Sequence, residues 1–141
     1  MQNAQVGDTA ESRKAVFRRL VDIYATGDLA ALDEVIAPGY VGHASAGDRD
    51  FEGFRESIEH FHGLFVYATD SFTVHDQFVE GEKVATRMSA RVKVRATGEP
   101  ITLIGINIAR IVGGRIVEEW NTWEQLQDAR SADVAQVAAS E

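Results

Sequence analysis

The first half of the chain places apolar residues three and four positions apart, a spacing that is typical of amphipathic helices. The first such stripe consists of Phe17, Leu20, Val21 and Tyr24. It predicts a helix over about 10–26, which Asp8 and Glu11 would cap at its start and Gly27 would end.

A shorter helix is predicted next, capped by Asp28 and ended by the Pro38-Gly39 pair. Residues 40–43 predict a short strand, and residues 44–50 a polar loop. A third helix is predicted over about 51–64, because apolar residues again recur three and four positions apart. These residues are Phe54, Ile58, Phe61 and Phe65.

The apolar period changes to two after residue 70, which predicts strands. Short glycine-containing turns divide this region into four strands, expected at about 71–79, 83–96, 101–112 and 115–124. Helices followed by an antiparallel meander are typical of the α+β class. We therefore expect one domain with a core of about 10–127 and flexible tails at 1–8 and 128–141.

The strand predicted at 101–112 is apolar on both faces. One face carries Ile104, Ile106 and Ile108, and the other carries Leu103, Gly105 and Ala109. A strand of this kind is usually buried on both faces, whereas the predicted helices can cover only one of them. We therefore expect a homodimer packed through the outer sheet face, the alternative being a cover of loops.

Two asparagines interrupt the predicted strands. Asn107 lies within the apolar run at 101–111, and Asn121 lies between two tryptophans. A polar side chain on a buried face costs free energy unless it is hydrogen-bonded. The pair therefore predicts a small-molecule cavity with polar groups that could hold a substrate oxygen. The alternative is that the two amides bond to each other or to buried water.

Composition narrows the functional classes. A formal net charge of −8 disfavours nucleic acid and anionic membrane surfaces, and no apolar run reaches the roughly 18 residues of a membrane span. The chain has no cysteine, no nucleotide or zinc motif, and no metal-ligand spacing among its four histidines. We therefore expect a cytoplasmic protein that needs no metal or organic cofactor.

Two residues are candidates for proton transfer. His43 follows the short predicted strand beside the polar loop, and an imidazole titrates near neutral pH; alternatively, its ring bonds to backbone at a pocket rim. Glu119 faces the same side as Asn121, because side chains alternate along a strand. A buried carboxyl can act as an acid or a base, although a salt bridge or a solvated position is the alternative for Glu119.

Five short segments resemble those of a known family. They are YATGDLAAL at 24–32, APGYVGH at 37–43, GEKVA at 81–85, GINIARI at 105–111 and GGRIVEEW at 113–120. With them the chain resembles SnoaL-like polyketide cyclases of the nuclear-transport-factor-two-like superfamily over about residues 12–125. The resemblance implies a cone, in which a strongly bent antiparallel sheet of about four long strands plus a short one wraps N-terminal helices. It also implies an apolar pocket at the open end and a dimer.

The resemblance further implies which residues line the pocket and where this chain departs from its relatives. The expected lining is Tyr24, Phe54, Phe61, Met88, Leu103 and Trp123; the alternative for the aromatic residues and Met88 is a place in the plain core. Asn121 stands where the cyclases have an aspartate acid/base, and an amide cannot accept a proton at neutral pH. Asn107 and His43 match the oxyanion-holding acid and the general base of ketosteroid isomerase, but Leu20 replaces its catalytic tyrosine. Met88, Ala90 and Asn121 replace the water-activating residues of limonene-epoxide hydrolase, so that activity is not expected.

Two functions follow from these observations. The first is a cyclase or isomerase that moves protons on a hydrophobic, carbonyl-bearing, polyketide-like molecule, with His43 as the expected base and Glu119 as the alternative base. The second is a protein that binds such a molecule without converting it. The pairing of His43 with Glu119 favours the enzyme, whereas the loss of the cyclase aspartate at Asn121 favours the binding protein.

Overall fold

The computed structural model of the chain describes residues 8–126, which form three α-helices and seven strands. In chain order they are α1 (Ala10–Thr26), α2 (Leu32–Val35), β1 (Ile36–Ala44), β2 (Gly47–Arg49), α3 (Phe51–Leu64), β3 (Phe65–Val66), β4 (Phe72–Glu80), β5 (Lys83–Val94), β6 (Pro100–Val112) and β7 (Arg115–Gln125). A 3-10 turn, Leu29–Ala31, precedes α2. The tail predicted at 128–141, and all but the last residue of the tail predicted at 1–8, lie outside the described range. No helix within it is long and apolar enough to cross a membrane.

Helix α1 starts with a capping pair that differs from the predicted one. The Thr9 hydroxyl accepts a hydrogen bond from the Ser12 N–H, and the Ser12 hydroxyl accepts one from the Thr9 N–H, each over 3.0 Å. Asp8 instead accepts a hydrogen bond from the Gly113 N–H over 3.2 Å, which ties the helix start to the β6–β7 turn. The predicted end is confirmed, because Gly27 caps the helix with a φ of 72°.

Strand β1 is longer than the sequence predicts. Helix α2 ends at Val35, and the chain continues as a strand from Ile36 through the Pro38-Gly39 pair, so the prediction that this pair ends a helix is wrong. The pairing of β1 with β7 shifts register between Ile36 and Val41. Proline has no N–H group to donate to the neighbouring strand. A shift in register at this position accommodates the proline in the strand.

The strongly curled sheet does not close on itself. Its strand order is β2-β1-β7-β6-β5-β3, with β4 also paired to β5. The pairs from β4 to β7 form the predicted antiparallel meander. The pairing of β1 with β7 is parallel, so the sheet is mixed rather than wholly antiparallel. The predicted α+β cone is otherwise confirmed.

The two faces of the sheet differ as the strand pattern predicts. The concave face packs against the helices around a core that includes Phe17, Leu20, Leu32, Ile36, Met88 and Ile111. The outer face leaves Ile104, Ile106 and Ile108 at 37%, 50% and 39% exposure. Arg87, Arg91 and Lys93 of β5 are exposed on that face as well. The site described next therefore lies on the concave side.

Candidate active site

A cavity of about 580 Å³ lies between the helices and the concave face of the sheet. Aromatic side chains form much of its wall, and they include Tyr24, Phe54, Phe61, Phe72, Tyr67 and Trp123. Several of these rings contact one another; Tyr24 meets Phe54 edge to face, and Phe72 meets Trp123 likewise, with centroids 6.2 and 6.1 Å apart. A wall of this kind suits a hydrophobic ligand.

Polar side chains interrupt this aromatic wall. Asn121, half-buried on β7, is one of them, and Arg49 at the end of β2 is another. Arg49 is the one cation among the described lining residues. Its guanidinium carbon lies 4.3 Å from the Phe54 ring centroid, and its Nη1 donates to Ser57 Oγ over 3.3 Å. Polar groups placed in this way orient a ligand within an apolar cavity.

Regular secondary structure fixes the backbone on both sides of Arg49. It is the last residue of β2, where it pairs in register with Gly42 of β1. The next residue, Asp50, caps α3 by accepting a hydrogen bond from the Gly53 N–H over 2.9 Å. Because the strand and the helix cap fix adjacent residues, the arginine side chain leaves the backbone from a fixed position.

Behind Arg49 lies a buried carboxylate, Glu119 of β7, which is 0% exposed. Its Oε1 accepts hydrogen bonds from the Tyr40 hydroxyl and from Arg49 Nη2, the latter over 3.3 Å. Its Oε2 accepts one from Asn107 Nδ2 over 2.7 Å. Three donors, one of them cationic, compensate the cost of burying this carboxylate. Asn107 Oδ1 has no hydrogen-bond partner among the described residues.

The register of three strands brings this cluster together. Asn107 lies opposite Asn121 in the β6–β7 pair, and Glu119, two residues before Asn121, lies on the same face. In the β1–β7 pair Glu119 is the register partner of Gly42. A Cβ built on Gly42 would lie 2.1 Å from the Tyr40 Oη. The missing side chain at position 42 is therefore what lets the tyrosine hydroxyl reach the carboxylate.

Burial raises the pKa values of the tyrosines around the cavity. For Tyr40, burial is the largest cause and the nearby Glu119 charge the next, so its pKa lies well above the usual value. The same two causes raise the pKa of Tyr24. Burial raises the pKa of Tyr67 to about 12. At neutral pH these three hydroxyls are protonated and can donate hydrogen bonds.

Two histidines of α3, His60 and His62, also line the cavity. His62 is half-buried, its ring stacks on Tyr67 with centroids 4.3 Å apart, and its Nε2 lies 2.7 Å from the Tyr24 backbone oxygen. A carbonyl oxygen only accepts, so Nε2 carries the proton of this hydrogen bond. In the neutral ring Nδ1 is then the nitrogen that can accept a proton.

His43 does not lie at the cavity, so its expected place beside the pocket is wrong. The parallel β1–β7 register sets it opposite Trp120, on the outer face of the sheet. Its Nδ1 lies 2.9 Å from Asp48 Oδ1, and its Nε2 lies 2.8 Å from Glu118 Oε2. The hydrogen bond to Glu118, and then the one to Asp48, raise the pKa of His43. The ring also stacks on Trp120.

The remaining predicted site residues divide into three groups. Five of the six expected lining residues do line the cavity, namely Tyr24, Phe54, Phe61, Leu103 and Trp123. Met88 does not, because it is 1% exposed and belongs to the core. Asn121 lines the cavity, whereas Asn107 and Glu119 are buried behind the lining. The catalytic and binding roles predicted for these residues stay predictions.

The sequence patterns single out neither Arg49 nor His62, although both line the cavity. Arg49 lies between Asp48 and Asp50 in a polar segment, where an arginine usually faces solvent. Its side chain is nevertheless only 18% exposed and reaches the cluster around Glu119. No local pattern distinguishes it from a surface arginine, because its burial depends on strands more than sixty residues later in the chain.

Within the described residues no group of three or more histidine, aspartate or glutamate side chains is arranged to hold a metal ion. The polar groups at the cavity instead offer hydrogen bonds. Arg49, Asn121 and the hydroxyls of Tyr24 and Tyr67 can donate hydrogen bonds to a ligand oxygen, and the two histidines supply imidazole nitrogens. This combination suits chemistry at a carbon next to a polarised carbonyl.

A comparison with solved structures finds several proteins that have the same fold. IdmH of Streptomyces antibioticus, a proposed polyketide cyclase, is 29% identical, and the match covers 89% of this chain and 98% of IdmH with a TM-score of 0.69. AclR of Streptomyces galilaeus, a proposed hydroxylase, is 18% identical, with coverage of 94% and 100% and a TM-score of 0.74. An LEH-like epoxide hydrolase from M. tuberculosis is 10% identical, with coverage of 82% and 84% and a TM-score of 0.67.

The search of curated proteins found no match. The sequence profile of the SnoaL-like domain, in contrast, matches residues 17–119. That range starts inside α1 and includes Arg49, Asn107 and Glu119. It therefore includes the buried cluster and the part of the cone from the middle of α1 to the middle of β7. The chain belongs to the SnoaL-like domain family.

Proposed function

We propose that this protein is an enzyme that moves protons on a hydrophobic, carbonyl-bearing small molecule, as a cyclase or an isomerase does. The observation that carries the proposal is the placement of Arg49 and Asn121 in the wall of a cavity that is otherwise largely aromatic. An aromatic wall favours a flat apolar ligand, and the two polar side chains can hold one of its oxygens. The relationship to a proposed polyketide cyclase at 29% identity supports the same class of substrate.

In the proposed reaction a base removes a proton from the carbon next to the carbonyl. The electrons of the broken C–H bond form an enolate, whose negative oxygen is stabilised by the Arg49 guanidinium and the Asn121 amide. Where the enolate is conjugated with a C=C bond, return of the proton from the base to the far carbon of that bond gives an isomer. Alternatively, the enolate carbon attacks a second carbonyl and closes a ring, and the alkoxide that forms takes the proton back from the base. Both outcomes balance without a redox partner.

His62 is the proposed base. Tyr24 and Tyr67 have raised pKa values and are protonated at neutral pH, so they do not accept the proton. Glu119 lines no part of the cavity and is covered by its three donors. His62 lines the cavity, and its hydrogen bond to the Tyr24 carbonyl oxygen directs the ring proton to Nε2. Nδ1 then remains available for proton transfer.

Hydrogen–deuterium exchange at the carbon next to a carbonyl tests the proposal directly. The wild-type protein is expected to accelerate exchange of the methyl protons of 2-acetonaphthone in D₂O, followed by proton NMR. Replacing His62 with glutamine is expected to reduce the catalysed rate by about 10²–10⁴, the usual contribution of a general base. The matched control is His75→Gln, because His75 is exposed and hydrogen-bonds to Ser89 Oγ over 2.8 Å; this variant should exchange at the wild-type rate.

Two outcomes would contradict parts of this proposal. If His60→Gln removes the catalysed exchange and His62→Gln does not, the base is the neighbouring histidine. If the wild-type protein binds 2-acetonaphthone and related ketones but accelerates exchange in none of them, the protein binds such molecules without converting them. Two observations favour binding without conversion: His43 lies on the outer face of the sheet, and position 121 carries an amide.

A further inference from the structure

The charge of Arg49 is already balanced before any ligand enters the cavity. Its Nη2 lies 3.3 Å from Glu119 Oε1, and the carboxylate is 0% exposed. A guanidinium has five N–H donors, of which Nε is directed at the Tyr40 hydroxyl (3.4 Å), Nη1 at Ser57 (3.3 Å) and Nη2 at the carboxylate. Two further N–H groups are left to meet a ligand, although the ion pair as a whole carries no net charge.

We propose that Glu119 sets the ligand specificity of the cavity, because its buried negative charge makes the Arg49 site accept a neutral carbonyl oxygen and reject a carboxylate. This proposal deepens the function proposed above and rests on its assignment of Arg49 as the group that holds the ligand oxygen. Glu119 acts through Arg49 and is a positioning and specificity residue, not a group that touches the substrate.

The physical reason is that the oxygen of a neutral carbonyl and the oxygen of a carboxylate interact differently with nearby charges. A carbonyl oxygen accepts a hydrogen bond from the guanidinium, and a neutral ligand is little affected by the carboxylate behind it. A carboxylate ligand would be attracted by Arg49 and repelled by Glu119 at only a slightly greater distance. In a partly buried site such Coulomb interactions are far stronger than in water. The net attraction that an unpaired arginine offers to an anion is therefore largely cancelled.

The cluster is built to hold the carboxylate in place. Tyr40 and Asn107 donate to Glu119 from β1 and β6, and their hydrogen bonds remain if a ligand draws on the arginine. Glu124 also lines the cavity but is exposed, where solvent screens its charge. It is unchanged in all the variants below, so it does not alter comparisons between them.

A pair of probes with the same ring system tests the proposal. 2-Acetonaphthone is a neutral ketone, and 2-naphthoate is a carboxylate at neutral pH. Dissociation constants are measured by calorimetry. Quenching of tryptophan fluorescence in a Trp120→Phe background, which leaves Trp123 as the remaining tryptophan, reports occupancy of the cavity, whose wall includes the Trp123 ring. The quantity compared is the affinity for the carboxylate divided by the affinity for the ketone.

The wild-type protein is expected to prefer the ketone. Glu119→Gln, which removes the charge and keeps the shape, is expected to raise the ratio by about tenfold or more, because a unit charge is lost within a few ångströms of the ligand oxygen. Glu118→Gln is the matched control, since it is the same change at the preceding residue. Glu118 interacts with His43 and Arg110, and its substitution should leave the ratio at the wild-type value.

A second comparison is needed because Glu119→Gln leaves a buried arginine unpaired and could unfold the protein. Arg49→Met removes the cation, and the double variant Arg49→Met/Glu119→Gln removes both charges. The ratio of carboxylate affinity to ketone affinity is expected to be lowest in Arg49→Met. It should rise by about tenfold in the double variant, in which the Glu119 charge is also removed. The effect of the Glu119 charge is thus measured both with and without Arg49.

An unchanged ratio in both comparisons, with both probes quenching Trp123, would overturn the proposal, and so would a wild-type preference for the carboxylate. Failure of both probes to bind the wild-type cavity would overturn it as well. A failure of the exchange experiment described above is a separate outcome. It would remove the enzymatic function, while the binding ratios would still decide the role of Glu119.

Discussion

Two glycines of the sheet show how single positions shape this site. At Gly42 a Cβ would collide with the Tyr40 hydroxyl, and at Gly105 it would lie 2.7 Å from the ring of Trp123. Neither glycine has a positive φ, so the backbone itself would accept another residue. What forbids a side chain is the neighbour that occupies its place. At position 42 that neighbour belongs to the buried cluster, and at position 105 it is part of the cavity wall.

Gly42→Ala should therefore destabilise the protein by about 2–4 kcal/mol. The new methyl group pushes the Tyr40 hydroxyl away from Glu119, which loses one of the donors that compensate its burial. The free energy of unfolding, measured by urea denaturation, checks this expectation. Gly39→Ala is the matched control on the same strand, because no heavy atom lies within 4 Å of its added Cβ, and it should change stability by less than about 0.5 kcal/mol. Equal effects of the two substitutions would contradict the steric explanation.

At the scale of elements, β1 is the strand that decides which residues meet at the cavity. It joins β2 on one side and β7 on the other, and it pairs with two neighbouring acids of β7 that alternation along the strand directs to opposite faces. Glu119 faces the interior, whereas Glu118 faces outward and binds His43. The His43 imidazole of β1 thereby links three strands, because Asp48 of β2 also contacts the ring and Glu118 belongs to β7.

The contribution of His43 to stability should depend on pH. Its pKa is raised in the folded protein by Glu118 and then Asp48. Folding therefore favours the protonated ring. This contribution is fully present below the unfolded value of about 6.5 and is lost as pH rises through the raised folded pKa. His43→Gln should destabilise the protein more near pH 6 than near pH 9, by urea denaturation at both values.

Glu118→Gln provides the check on this explanation. Without the carboxylate, the largest cause of the raised pKa is removed. The pH dependence of the His43→Gln effect should therefore shrink in that background. A His43→Gln effect that is the same at both pH values in the wild-type background would show that the ring contributes by packing on Trp120 alone.

The sequence predicts local elements well and the cavity only in part. Helices α1 and α3 and the meander were found because periodicity and turns are local signals, with α1 and α3 predicted over the observed residues. The face on which His43 lies depends on the register of β1 with a strand more than seventy residues away. The burial of Arg49 depends on the same pairing. The sequences of the two paired segments do not by themselves reveal a pairing register between strands so far apart in the chain.

At the scale of the whole molecule, the outer face of the sheet is the surface that bears on assembly. Ile104, Ile106 and Ile108 form an exposed apolar row on β6, and Val112 at its end is 39% exposed. Exposed apolar patches of this kind mark interaction surfaces. We propose that the protein forms a homodimer through this face, as the strand pattern predicts.

Ile106→Glu tests the dimer. A charge placed at the centre of the apolar row would be buried without a partner, at a cost of several kcal/mol in order of magnitude. The variant should dissociate to monomers, or unfold, in sedimentation experiments at micromolar concentration. Leu64→Glu is the matched control, because Leu64 is 44% exposed at the end of α3, and it should sediment like the wild type. A wild-type protein that sediments as a monomer would rule out this assembly.

The buried cluster joins residues that are far apart in the sequence, and this separation affects how the chain folds as it is synthesised. Glu119 binds Tyr40, which precedes it by 79 residues, and Arg49, which precedes it by 70. A ribosome therefore releases the arginine and the tyrosine long before it releases the carboxylate that they bind. Contacts between such distant residues form slowly, and an arginine cannot be buried alone without a large cost. The nascent chain is thus expected to hold this end of the cone open until β7 emerges, so that closing the ion pair and adding β7 to the sheet become one late step of folding.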